Sequence, residues 1–183
     1  MSKALIIIDI QEDYFEGGAC ELVHAFQSSL EAKKLLELFR DNNLPIFHMQ
    51  HMNIIESDST YLLPNTSGIN IHKNVEPLND EKVIEKNFPN SFLQTNLESQ
   101  LDKLNIKDVI ICGMMSHMCV DATTRAAFDL GFSCTLAHDA CTTKDIEFKS
   151  ELVLHKDVQN SFMSALDGVY ADVKTVNEII NEF

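Results

Sequence analysis

Short runs of apolar residues alternate along the chain with longer stretches in which apolar positions return every three or four residues. Residues 4–8 (ALIII), 45–49 (PIFHM), 109–112 (VIIC) and 132–137 (FSCTLA) have the length and makeup of buried strands, with weaker ones at 83–84 and 171–173. Helical period runs through 25–41, carried by Leu30, Leu35, Leu36, Leu38 and Phe39 and ended by Asp41, Asn42, Asn43 and Pro45. It returns at 91–104 through Phe92, Leu93, Leu97, Leu101 and Leu104, and at 118–130, where Gly131 takes the usual C-terminal position. Residues 149–166 and 175–183 complete the predicted helices.

Nearly all-apolar strands separated by helices predict a parallel sheet covered on both faces. The expected fold is therefore a three-layer α/β/α sandwich around a mostly parallel, roughly six-stranded, Rossmann-like sheet, as one domain over residues 1–183. Residues 53–81 are polar, hold Pro64 and Pro77 and show little period, so they read as a functional loop or lid.

Charge narrows the partners. Lys and Arg number 14 against 28 Asp and Glu, a net charge of −14 that repels nucleic-acid backbones and anionic membranes. With 45% apolar residues the chain has the material for a core. The run at 4–8 is too short for a membrane span or a signal-peptide core, which predicts a cytoplasmic protein. Five cysteines, with no C-x-x-C pair, suit a reducing compartment.

Ligands in such sheets bind beyond the carboxyl ends of the strands. There lie Asp9, Gln11 and Asp13 after the first strand, His51 after the second, Lys86 after the third, and Gly113-Met-Met-Ser-His-Met-Cys119 after the fourth. Cys119 opens a helix whose dipole favours a thiolate, and a neighbouring ammonium would lower its pKa further. Its bland reading is a packed core cysteine, which Cys112 and Cys134 fit well, while Cys20 and Cys141 read as exposed. Asp9 is equally readable as a plain strand end, and Lys86 as a surface lysine.

The blocks ALIIIDIQEDYF (4–15), EKNFPNSF (85–92), IICGMMSHMCV (110–120), TTRAAFDLG (123–131) and Asp139-Ala140, in this order, resemble the isochorismatase-like cysteine hydrolases. The resemblance implies an Asp9–Lys86–Cys119 triad that cleaves a C–N bond of a small amide through a thioester. It also implies a cis peptide between Met114 and Met115 that aims the N–H groups of Met115 and Cys119 at the oxyanion. Gln11, Phe15, His51, Phe92 and His117 are the candidate pocket residues. Homodimers or homotetramers are expected, with no cofactor.

Nicotinamidases of this superfamily hold a divalent metal through Asp-x-His plus a further His. Here the corresponding stretch FHMQHMN (47–53) has Gln50 and Met52 in those places, so no metal is expected. His72 reads as solvated, Met118 as helix core, Asp139 as a residue ordering nearby backbone, and Asp121–Arg125 as an i,i+4 pair. The leading reading is a metal-independent cysteine amidohydrolase. The alternatives are a metal-dependent nicotinamidase and a non-catalytic, oligomeric α/β module.

Overall fold

The computed structural model describes residues 3–54 and 58–183. Along the chain it holds β1 (Lys3–Ile8), α1 (Ala25–Asp41), β2 (Ile46–His51), β3 (Lys82–Lys86), α2 (Leu97–Lys103), β4 (Asp108–Met114) and α3 (Asp121–Asp129). Then follow β5 (Ser133–Thr142), β6 (Ile146–Phe148), β7 (Glu151–Val153), α4 (His155–Leu166), β8 (Asp172–Lys174) and α5 (Val176–Asn181). Six strands form one sheet in the order β3-β2-β1-β4-β5-β8, every pairing parallel.

Alternation along β1 shows how the layers are glued. Leu5 and Ile7 join Leu35, Leu36 and Phe39 of α1 and Val176 and Ile179 of α5 in one apolar layer. Ala4, Ile6 and Ile8 face the other way, against Leu97 and Leu101 of α2, Ala127 of α3 and Met163 and Leu166 of α4. A strand buried on both faces must be apolar at every position, and each such Leu or Ile contributes about 1.5–3 kcal/mol. The chain departs from β1 on one side to β2 and β3 and on the other through β4 to β5 and β8. The order therefore reverses between β1 and β4, which leaves a crevice beyond their carboxyl ends.

The elements depart from the sequence pattern in four places. Residues 91–96 are turn rather than helix: Gln94 has φ +56°, Asn90 Oδ1 accepts from the Phe92 N–H at 2.9 Å, and the Thr95 hydroxyl donates to Ser91 O at 2.6 Å. Such side-chain bonds satisfy backbone groups that a helix would otherwise use. Residues 146–153 form a small hairpin where helix was expected from 149, and its two turn residues, Lys149 and Ser150, both have positive φ. β5 runs five residues past its apolar segment, and its register on β4 jumps from Ile111–Leu136 to Gly113–Cys141. The helix expected from 118 begins as a π-helical turn at Ser116–Val120, closed by Val120 N–H to Met115 O at 3.2 Å, before α3 takes over.

The long loop is packed rather than detached. Leu62 and Val75 are fully buried, and Asp13 Oδ2 accepts from the Leu62 N–H at 2.6 Å. At its far end Glu81 receives two Arg40 guanidinium bonds, at 2.7 and 2.9 Å, and lies 2.9 Å from His48 Nε2, which ties α1 and β2 to the approach to β3. Burial pushes the Glu81 carboxyl up, but its bonds from Arg40, Leu78 N–H and His48 prevail and bring it down to about 2. Residues 55–57 lie outside the described part of this loop. Among the described residues no helix is long and apolar enough to cross a membrane.

Gly113 stands opposite Ile8 in the β1–β4 register, with no room for a side chain. Its φ is +136°, and a β-carbon there would stand 2.0 Å from Ile8 O. Gly113→Ala should therefore destabilise the chain by about 3 kcal/mol or more, since strain and overpacking combine. Gly131, at φ +88° with open space around it, should lose only about 1 kcal/mol on the same change, the ordinary cost at a helix end. Urea midpoints of the two variants test the difference.

Candidate active site

Three strand ends and one helical turn deliver the site. Asp9 follows β1 with φ +51°, a turn that costs a residue with a side chain about 1–2 kcal/mol. Its N–H is held by Met49 O at 3.1 Å, and the carboxylate has no exposure to solvent. Lys86 is the last residue of β3 and is paired in register with His51, the last residue of β2. Its ammonium donates to Asp9 Oδ2 at 2.6 Å, to His51 Nδ1 at 3.1 Å and to Phe88 O at 3.2 Å. Cys119, 5% exposed, sits in the π-helical turn after β4. An Asp9 carboxylate oxygen, a His51 ring nitrogen and the Cys119 sulfur all lie within 4.8 Å of one another.

The π-helical turn is fixed from outside. The Ser116 hydroxyl donates to Gln159 Oε1 on α4 at 2.5 Å, and Gln159 Nε2 donates to His138 O on β5 at 3.1 Å. The peptide between Met114 and Met115, just before this turn, is cis.

Residues 3–160 match the isochorismatase domain. The chain belongs to the isochorismatase family. It is 43% identical over 181 residues to the isochorismatase-family protein YddQ of Bacillus subtilis, covering 98% of this chain and 99% of that one. The crystal structure of an isochorismatase from Pseudomonas putida KT2440 superposes with a TM-score of 0.89 at 32% identity, covering 96% of this chain and 89% of that one. Streptothricin hydrolase of Streptomyces noursei is 33% identical over 144 residues, which is 79% of this chain and 51% of that enzyme. This protein is thus an isochorismatase-family hydrolase.

In this family member the sulfur is not the activated thiolate its helix position suggests. Burial raises the Cys119 pKa first of all, the Asp9 carboxylate raises it further, and the Lys86 ammonium pulls the other way without prevailing. The helix-start argument omitted both burial and the carboxylate. Lys86 keeps its proton: burial pushes it down, but Asp9 and Cys119 outweigh that and hold its pKa above the usual lysine value. The other cysteines are also covered, Cys20 and Cys141 included, contrary to their reading as exposed. Burial pushes Cys134 and Cys141 up to about 12.

The pocket candidates divide. His51 faces the ion pair. Gln11 spends its whole amide on backbone: Nε2 donates to His51 O at 2.9 Å and Ile69 O at 2.8 Å, and Oε1 accepts from the His51 N–H at 2.8 Å. It clamps β2 and the long loop to the end of β1. Phe15 stacks on His72 at 3.7 Å between ring centres, so His72 is buried, not solvated. Phe92 packs on Phe132, the residue before β5, in the apolar layer. His117 lies 2.6 Å from the Thr143 hydroxyl through Nδ1 and edge-on to Phe162. Met118 is exposed rather than core, whereas Asp139 accepts from Val176 N–H at 2.9 Å and the Asp121–Arg125 pair forms as expected.

Two residues that sequence reasoning passed over stand beside the site. The rings of Tyr14, in the short 3-10 turn after Gln11, and Tyr61, in the long loop, lie 6.0 Å apart. Burial raises the Tyr14 phenol most, and the nearby Asp9 carboxylate adds to it. Tyr14 falls inside the first family block, and that adjacency to Asp9 was the available signal.

Removing the carboxylate should uncouple reactivity from turnover. In Asp9→Asn the Lys86 ammonium alone remains beside the sulfur, so the thiolate is favoured and the Cys119 pKa falls. Alkylation of Cys119 by iodoacetamide at neutral pH should then quicken about threefold for each unit of that fall, because the thiolate fraction rises while its intrinsic nucleophilicity declines. Peptide mapping after brief labelling reads it; slower or unchanged labelling would refute the charge arrangement.

Proposed function

We propose that the chain is a cysteine hydrolase that cleaves the C–N bond of a small amide through a Cys119 thioester. The observation that carries this reading is the state of the Asp9 carboxylate. Oδ2 is engaged by Lys86, while Oδ1, buried, has no hydrogen-bond partner among the described residues. An unpartnered carboxylate oxygen in the crevice beside a protonated thiol is a base waiting for that proton.

The steps follow from this arrangement. Asp9 takes the Cys119 proton as the sulfur attacks the carbonyl carbon, and the resulting oxyanion is assigned to the N–H groups of Met115 and Cys119. The tetrahedral adduct collapses, the C–N bond breaks, and Asp9 returns the proton to the departing nitrogen. Water then attacks the thioester, giving a proton to Asp9; the C–S bond breaks, and the sulfur recovers that proton. Lys86 stays protonated throughout and holds the carboxylate at the sulfur.

The donor set argues against the metal of nicotinamidase-type sites. Gln50, at the place of the expected Asp, uses its Nε2 on Ile69 O at 2.8 Å, and His72 is stacked on Phe15. Asp9, His51 and Cys119 do converge, but two of them are already bonded to an ammonium, whose charge opposes a second cation.

A panel of small carbamoyl compounds, nicotinamide and the lactam antibiotic streptothricin, read by ammonia release and product mass, tests the reaction class. Turnover found there should be abolished in Cys119→Ala, survive in Cys112→Ala and withstand prolonged EDTA treatment. Normal turnover by Cys119→Ala would overturn the nucleophile, and EDTA-sensitive turnover with stoichiometric metal would overturn the metal-free reading.

A further inference from the structure

The hydrogen bonds around Lys86 fix more than the ion pair. An ammonium group has three hydrogens and no lone pair, so all three of its contacts are acceptors: Asp9 Oδ2, Phe88 O and His51 Nδ1. His51 Nδ1 accepts from Lys86 only when unprotonated, which places the hydrogen of the neutral ring on Nε2. The next link agrees independently. Asn53 Nδ2 lies 2.8 Å from Tyr61 O, a carbonyl that can only accept, and 2.8 Å from the Ser59 hydroxyl. That sets the Asn53 amide with Oδ1 toward His51, where it accepts from Nε2–H at 3.1 Å. Donors and acceptors match along the whole chain from the long loop to the carboxylate.

We propose that His51 is a positioning residue of the site: its Nδ1 lone pair aims the Lys86 ammonium at Asp9, and its Nε2–H ties that aim to Asn53 in the long loop. This rests on the amidohydrolase reading and extends it, because it makes the Asp9–Lys86 pair dependent on a neutral imidazole and on the placement of Asn53 against Ser59 and Tyr61. Protonating His51 would place a second N–H cation 3.1 Å from the ammonium and destroy the acceptor. The titratable groups facing the ring are Lys86 from β3, Asp9 after β1 and Cys119 in the π-helical turn. Burial first, and Lys86 second, hold the His51 pKa below the usual histidine value, against the opposing pull of Asp9. The ring is thus neutral near pH 7, and its function as acceptor is lost as pH falls through that lowered pKa.

Two readouts test this on the full chain. The first is the ring nitrogen spectrum of 15N-labelled protein at neutral pH, which requires no reaction: His51 should carry its hydrogen on Nε2, and Lys86→Met should raise its pKa. The second is acylation of Cys119 by p-nitrophenyl acetate, followed as the first-turnover release of nitrophenol across acid to neutral pH. His51→Leu, which has no acceptor, should acylate up to about 100-fold more slowly, the loss that follows when a reacting group is misplaced by about 1 Å. His51→Asn, whose Oδ1 can stand near the place of Nδ1 and cannot ionise, should recover much of that loss and lose the part of the wild type's acid decline that follows the His51 ring, leaving only the part set by the Asp9 base. A hydrogen on Nδ1, or wild-type rate and pH profile in His51→Leu, would overturn the proposal. Acylation that persists unchanged in Cys119→Ala would instead overturn the nucleophile and leave the ring spectrum to judge His51 alone.

Discussion

A lysine and a carboxylate 2.6 Å apart, both withdrawn from water, set the terms for everything around them. Each ion loses hydration worth several kcal/mol, and only close pairing with every remaining donor satisfied offsets that loss. The three acceptors around Lys86 meet the requirement on the cationic side. Like His48 Nδ1 and Asp108 Oδ2 elsewhere among the described residues, one oxygen on the anionic side, Asp9 Oδ1, is buried without a partner. Stability alone would favour filling it. Its persistence beside a cysteine is the strongest structural mark of chemistry in the molecule.

The sheet order explains how such a pair comes to exist. Asp9 and Lys86 are 77 residues apart and stand on β1 and β3, with β2 between them. The lysine reaches across the end of β2, and His51, paired with Lys86 in the β2–β3 register, lies along that path. Cys119 arrives from the other side of the switch point, on a turn whose i,i+5 bond re-aims the chain before α3 begins. The clamps made by Gln11, Asp13 and Glu81 lie on backbone and on neighbouring side chains. They hold strand ends and the long loop in the positions from which the reactive groups converge.

Much of this was legible in the residues. The apolar runs gave the six strands of the sheet, and α1 spans the residues its period marks. Asp9, Lys86 and Cys119 were legible through family blocks and strand-end positions. What stayed hidden depends on three-dimensional register or on burial. The hairpin at 146–153 turns through Lys149-Ser150, which carries no glycine or asparagine to announce positive φ. The bond between His51 and Lys86 exists only once β2 and β3 are paired. Gln11 was a candidate for substrate because a buried amide near a site has two uses, and only the positions of His51 and Ile69 show which applies. The Cys119 thiol was misjudged because a helix end is visible in sequence, whereas the desolvation that outweighs it is not.

The pair of phenols beside the site has an optical consequence. The chain contains no tryptophan and three tyrosines. Tyr170 stands apart, edge-on to Phe128 with the Arg125 guanidinium over its ring, while Tyr14 and Tyr61 share the neighbourhood of Asp9 and Cys119. Two of the three intrinsic fluorophores therefore sit beside the candidate site, unmasked by energy transfer to an indole. Tyrosine emission of the native protein is the signal in which a ligand bound between Asp9 and Cys119 should register without any label.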